Sequence, residues 1–255
     1  MEDIFRITGL LARAEIFCHV TVISSSDKAV ISGLKVIVFP DGSMEGKTGQ
    51  QDLDDLICKQ ALRIFSERKK QTVELRSGIL AFFDIISGEP RLVICGAGHI
   101  AVPLARFTRE VGFSVTVIDD RPDFADPSRF PGCAVIAEDF IVALHRISVD
   151  RSTYVVVITR GHEHDAECLT AIISHDTAYL GLIGSRRRVR FVLEMLSHAG
   201  IPEQRLSEVF TPIGLPIGAE SPEEIALSIT SELVCVRRKG AGQARALRSA
   251  VLGES

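Results

Sequence analysis

The chain has 255 residues, of which 46% are hydrophobic and 24% charged, with a formal net charge of -4. That composition excludes wholesale disorder, and the negative balance argues against a general electrostatic grip on nucleic acid. No apolar stretch approaches the roughly 20 residues that span a bilayer, and Met1-Glu-Asp-Ile-Phe-Arg6 carries acids where a signal peptide needs basic residues, so a cytoplasmic protein without membrane contact is expected.

The first 88 residues read as a small α+β unit. His19 to Ile23 alternates as a strand does, and Leu34 to Phe39 forms a second strand closed by the turn signal Pro40-Asp41-Gly42. Leu53, Leu56, Ile57, Ala61, Ile64 and Phe65 recur at three- and four-residue spacing, which predicts an amphipathic helix over 51–69. Two β-prone runs follow, Thr72–Leu75 and Ile79–Ile85.

After Pro90 the pattern changes to regular alternation. Leu92–Cys95, Val115–Ile118, Ala134–Ala137, Tyr154–Ile158 and Tyr179–Ile183 are short apolar strands, most of them separated by segments with helical spacing. The alternation predicts an α/β unit over 89–240, a doubly wound parallel sheet with right-handed crossovers. The link from Asp119 to Gly132 is instead a proline-bearing loop. Ser221-Pro222-Glu223-Glu224 is a capping box that opens a helix running to about Arg238. A basic tail, 241–255, carries Ala244, Leu247, Val251 and Leu252 and reads as a loose terminal helix. Six widely spread cysteines without a C-x-x-C pair argue against both a zinc knuckle and a disulfide framework.

Three strand ends concentrate the chemistry. Gly96-Ala97-Gly98-His99-Ile100-Ala101 follows the first strand of the α/β unit and fits G-x-G-x-x-G/A in its strand–turn–helix setting. Gly96 permits the tight turn, Gly98 lets backbone amides approach a phosphate at the helix start, and Ala101 allows close packing. Asp119, about 20 residues on, stands where a carboxylate accepts hydrogen bonds from ribose hydroxyls. Together these features point to a Rossmann-like fold, with NAD or another dinucleotide as one candidate ligand.

The run Thr159-Arg160-Gly161-His162-Glu163-His164-Asp165 reads as a strand-to-helix turn at the carboxyl edge of the sheet, where open α/β sheets bind ligands. Gly184-Ser185-Arg186-Arg187-Arg188 follows the last strand and reads as an anion site, with the alternative that its arginines lie on a solvated helix face. His162 and His164 could chelate a metal with Asp165, but a cap at Asp165 and hydrogen-bonding histidines are the stronger reading. Cys95 is a candidate thiol beside the ligand, or simply a small apolar strand residue. The expected pocket lies between the glycine loop, Asp119, Thr159–Asp165 and Gly184–Arg187. Arg160 or Arg186 would supply the counter-charge, and His162 and Asp165 would bond the ligand's polar head.

Leu92–Ala101, Val117-Ile-Asp-Asp-Arg-Pro122, the Thr159–Asp165 run, Tyr179–Arg188 and Phe210–Glu224 together resemble the xanthine dehydrogenase accessory factor family, also called XdhC/CoxI. The resemblance covers roughly 91–238. It implies a chaperone more than a catalyst, one that binds molybdenum cofactor, protects it during sulfuration and delivers it to an apo molybdenum hydroxylase, with a cysteine desulfurase as a further partner. The N-terminal unit departs from the family pattern. Gln50 and Gln51 stand where glycines are expected and Asp52 where a cysteine is, which puts sulfur or molybdenum handling by that segment in doubt. A nicotinamide-dependent oxidoreductase with His162 as acid/base, and a nucleotide-sensing module, are the competing readings. Rossmann domains with small appendages often dimerise, so a homodimer is a further expectation.

Overall fold

Strand alternation in the first unit builds an antiparallel sheet with helices packed against it. A computed structural model describes residues 2–12, 16–67, 70–76 and 78–252. The chain divides into two units, Met1–Gly88 and Glu89–Ser255. The first contains α1 (Glu2–Ala12), β1 (Ile16–Ser25), β2 (Lys35–Val38), β3 (Met44–Glu45), α2 (Gln51–Glu67), β4 (Gln71–Arg76) and β5 (Ile79–Ser87), with sheet order β3-β2-β1-β5-β4. Leu53, Ile57, Ala61 and Ile64 of α2 are buried together with Val20, Val22, Ala81 and Phe83 of the sheet. The predicted helix keeps its apolar stripe, and residues 68–69 of its expected range lie outside the described residues.

Helix α1 has no counterpart among the elements expected from the sequence. Its Leu10 is buried with Phe17 and Ile37, while Phe5 stays exposed. At the start of α2, Asp52 takes a 2.6 Å hydrogen bond from Arg76 Nη1. The Gln50 amide accepts from Arg76 and donates to Asp27 at 2.9 Å. The segment where the family pattern has glycines and a cysteine is here a polar, ion-paired network.

The second unit comprises β6 (Arg91–Cys95), α3 (Ala101–Glu110), β7 (Ser114–Asp119), β8 (Ala134–Ala137), α4 (Phe140–Arg146), β9 (Thr153–Val157), α5 (His162–Ile172), β10 (Tyr179–Leu182), α6 (Arg186–His198), α7 (Glu203–Ser207), α8 (Pro222–Lys239) and α9 (Ala241–Leu252). Its strands are all parallel, in the order β10-β9-β6-β7-β8. Successive residues of a strand face opposite sides, and the packing follows that rule. Leu92, Ile94, Val117, Tyr154 and Val156 join Leu104 of α3 and Ile229 and Leu233 of α8 on one face. Val93, Cys95, Val155, Val157 and Leu182 join Phe140 of α4, Leu169 of α5 and Val192 of α6 on the other. Both faces being covered explains why these strands read as continuous apolar runs.

The 119–132 link contains only a short 3-10 turn at Pro127–Arg129. The tail departs from its expected looseness. Ala244 of α9 is fully buried, and Arg245 lies over the Phe210 ring at 4.1 Å. Arg248 donates to the Pro212 carbonyl and lies 3.6 Å from buried Glu232. Glu232 also accepts from the Tyr179 hydroxyl at 2.5 Å and the Gly214 amide at 2.8 Å. Both bonds go to Oε2; Oε1 has no hydrogen-bond partner among the described residues, and the Arg248 charge of α9 lies 3.6 Å from it.

Candidate functional site

The chain reverses its winding between β6 and β9. α3 leaves β6 toward one face of the sheet and α5 leaves β9 toward the other, which opens a crevice at the carboxyl edge. Gly96 forms its floor at φ +111°, and a Cβ there would lie 2.5 Å from the Ile158 carbonyl oxygen. This glycine is required by the close approach of two strand ends. Gly98 and Gly161 differ, because a Cβ on either meets nothing within 4 Å. They border open space on the two sides of the crevice.

The helices that begin at this crevice carry no side-chain cap. α3 starts from Ile100 and α5 from Gly161, and neither residue hydrogen-bonds its helix through a side chain. Asp139 caps α4, Ser185 caps α6 and Ser221 caps α8, while the five-residue α7 starts uncapped at Pro202. The amide ends of α3 and α5 carry positive partial charge; in the first turn of α3 the Ala101 amide donates to the Gly98 carbonyl at 3.2 Å and Pro103 has no N–H, which leaves Val102 as its amide donor. An open depression beside α5 is lined by Arg160, Gly161, His162, Glu163 and His164.

The Thr159–Asp165 run is only partly a turn. Thr159, Arg160 and Gly161 make the connection, and His162 to Asp165 form the first turn of α5. Asp165 is fully buried there and is not a cap. The Thr159 hydroxyl donates to its Oδ1 at 2.6 Å, and Arg188 Nε donates to its Oδ2 at 2.6 Å. Arg188 Nη2 also reaches the Thr159 carbonyl at 3.1 Å. Burial pushes the Asp165 carboxyl up, opposed by the Thr159 hydroxyl and then by Arg188. The group thus ties the β9 end to α6, and its contacts are internal.

The two histidines diverge. His162 is exposed and meets the Phe191 ring edge-on at 5.2 Å, whereas His164 lies against Phe140 at 5.4 Å and bonds Glu167 at 3.1 Å. Among the described residues no three His, Cys, Asp or Glu side chains gather to hold a metal ion. Cys95 is fully buried on the α5 side with Cys168, behind the loop rather than in the crevice.

Asp119 ends β7 and is 1% exposed. Its Oδ2 accepts the Ala97 amide at 2.7 Å and Arg121 Nη2 at 2.9 Å. Its Oδ1 accepts the Arg121 amide at 3.0 Å and Arg121 Nε at 2.8 Å. Burial raises the carboxyl, but the Arg121 side chain, the Ala97 amide and the Arg121 amide outweigh it and hold the group below its usual range. Arg121 in turn lies 3.6 Å over the Phe124 ring. Arg129 Nη1 holds the Ala97 carbonyl at 3.0 Å, so the first turn of the glycine loop is braced from both sides.

Arg160 projects from the end of β9 and pairs with Asp120 at the end of β7, through Nη1 at 2.6 Å and Nη2 at 2.8 Å. Since β6 lies between those strands, the pair passes over the end of β6. Hydrogen bonding from Arg160 holds the Asp120 carboxyl down at about 2. That folded value is below the ordinary 3.8, so the pair's contribution is present at neutral pH and is lost as pH falls from 3.8 toward 2. In Arg160→Ala the Asp120 carboxyl should titrate near its ordinary value, as read by carboxyl-carbon NMR. An unchanged titration would remove Arg160 as the cause.

At the third strand end, Ser185 spends its hydroxyl on the Arg188 amide, while Arg186 and Arg187 stand exposed on the first turn of α6. His99 is exposed on the glycine loop, and Ala101 is buried where α3 meets the sheet. The structure thus brings Gly96, Gly98, His99, Ala101, Asp119, Thr159, Arg160, Gly161, His162 and Asp165 to one edge of the sheet. Two of its carboxylates, however, are held by arginines of the chain itself. The sequence reading gave no contact or bracing role to Arg121, Phe124 or Asp120. The signal for Arg121 was its place two residues after the strand-end acid.

This edge defines the chain's C-terminal unit as a Rossmann-type module with a braced glycine loop and an open crevice. Residues 92–233 match the XdhC Rossmann domain, and the chain belongs to that family. It is 35% identical over 163 residues to a probable xanthine dehydrogenase subunit of Bacillus subtilis (strain 168), covering 62% of this chain and 46% of that protein. It is 28% identical over 242 residues to the "Uncharacterized protein YqeB" of Escherichia coli (strain K12), covering 89% of this chain and 44% of the relative. The chain therefore spans under half the length of these curated relatives. Among solved structures, a xanthine dehydrogenase (BH1974) from Bacillus halodurans matches at 24% identity with a TM-score of 0.70, over 98% of this chain and 70% of that one. That likeness concerns the fold. No described helix is long and apolar enough to cross a membrane.

Proposed function

We propose that this chain is an accessory protein of the xanthine dehydrogenase type, which holds the phosphate-bearing molybdenum cofactor as cargo in the β6–β9 crevice and passes it to an apo molybdenum hydroxylase. The observation that carries the reading is the pair of uncapped helices, α3 and α5, that open on the two sides of that crevice. Gly98 and Gly161 leave the approach to those amides clear. A terminal phosphate placed there meets two positive helix ends, with Arg186 exposed on a neighbouring strand end as counter-charge, since Arg160 is already paired with Asp120. Membership of the XdhC family and the relative named as a probable xanthine dehydrogenase component support the choice of cargo and client.

In this reading the residues bind and orient; they do not perform bond chemistry on the cargo. His162, exposed at the first turn of α5, contacts the cargo's polar part. Sulfuration belongs to a separate cysteine desulfurase, because positions 50–52 carry Gln50 and Asp52 in an ion-paired network where the family pattern has its cysteine. The test is transfer. Protein loaded with molybdenum cofactor is mixed with apo-hydroxylase beside an equal amount of free cofactor. Faster or fuller recovery of hydroxylase activity from the loaded protein is expected, and recovery equal to free cofactor contradicts a delivery role.

A further inference from the structure

The Asp119 carboxylate stands where Rossmann domains receive a nucleoside, since two adjacent ribose hydroxyls donate to an acid at the end of the second strand. Here that capacity is filled from within the chain. A carboxylate offers about four lone-pair positions, and Asp119 already accepts four N–H donors, two on each oxygen. The Arg121 guanidinium presents Nε and Nη2 as a fork to the two oxygens, at 2.8 and 2.9 Å. Such a fork copies the paired donation of a ribose diol with the added strength of charge. Its flat face rests on Phe124 at 3.6 Å.

We infer that Arg121 is a built-in occupant of the nucleoside half of this site, and that it restricts the crevice to ligands bound through phosphate without a ribose contact at Asp119. The inference rests on reading the crevice as a phosphate-ligand site and sharpens it. It separates a phosphorylated pterin from NAD-type dinucleotides on the grounds of one side chain. A dinucleotide would have to expel Arg121 from both Asp119 and Phe124 before its ribose could bind.

NADH and AMP are the probes, and because the chain has no Trp the fluorescence of bound NADH is read without transfer from tryptophan. Wild type should bind either nucleotide only in the millimolar range, while Arg121→Ala should bind NADH at least tenfold more tightly. Arg121→Lys keeps a cation beside Asp119 while losing the fork, and it should show a smaller gain in the same direction. It also serves if the alanine variant fails to fold. Micromolar NADH binding by wild type that is weakened by Asp119→Asn would overturn the inference, as would the absence of any gain in both Arg121 variants. Adding Gly98→Asp to the Arg121 variant tests the underlying reading separately. If the gained affinity survives that change, the phosphate does not lie on the glycine loop.

Discussion

Arg188→Ala should lower the stability of the second unit by about 3–5 kcal/mol, the range for breaking one partner out of a buried ion pair. Asp165 has no exposed surface. Without Arg188 its carboxylate keeps only the Thr159 hydroxyl as a side-chain donor. The variant also frees the β9–α6 link that Arg188 makes to the Thr159 carbonyl. The deficit has a pH signature. Burial already raises the Asp165 carboxyl, and losing Arg188 raises it further. A group whose folded value exceeds its unfolded one favours folding at low pH and loses that contribution as pH rises through the folded value. The difference between variant and wild type should therefore shrink as pH is lowered below neutrality. Urea unfolding followed by tyrosine fluorescence checks this directly, because both tyrosines, Tyr154 and Tyr179, lie in the second unit. A deficit under 1 kcal/mol at neutral pH would remove the buried pair from its structural role.

Gly96→Ala should be comparably damaging for a different reason. The added Cβ would meet the Ile158 carbonyl oxygen at 2.5 Å, and φ is +111°. The obstacle is backbone, so relief requires the ends of β6 and β9 to part. Steric displacement of about 1–3 kcal/mol adds to backbone strain of about 1–3 kcal/mol. Gly98→Ala has open space and a tolerated backbone angle and should cost far less, so the pair of variants isolates packing from loop flexibility. Equal midpoints in urea for the two alanine variants would contradict this account of the floor of the crevice.

The parallel sheet was legible because burial on both faces leaves unbroken apolar runs such as Tyr154–Ile158, and every strand of the second unit falls within a residue or so of its sequence reading. The start of α5 was misplaced for a local reason. Its N-cap is Gly161, which has no side chain to signal a helix start, and the polar His162-Glu163-His164-Asp165 imitates a loop. Helix α1 and the docking of α9 depended on contacts distant in sequence, such as Leu10 with Ile37 and Arg248 with Glu232. The site shows the same limit. Residue types and strand ends could be read in order along the chain, which gathered the right edge of the sheet. Which charges pair with which could not be read. Asp165 meets an arginine 23 positions away, and Arg160 meets an aspartate 40 positions away. Those pairings decide that Asp165 braces the fold and that Arg160 bridges the edge.

The histidines of the 159–165 run thus take separate roles, with His164 held by Phe140 and Glu167 and His162 exposed against Phe191 of α6. The central claim is that an anionic cargo sits on the amides beside Gly98. Its most direct measurement is the affinity of purified protein for molybdenum cofactor in wild type and Gly98→Asp. A Cβ at position 98 meets nothing, so the aspartate variant should fold and place a negative charge where the phosphate is expected. The account predicts a loss of at least tenfold in affinity with an unchanged unfolding midpoint. Equal affinity in the two proteins would contradict it.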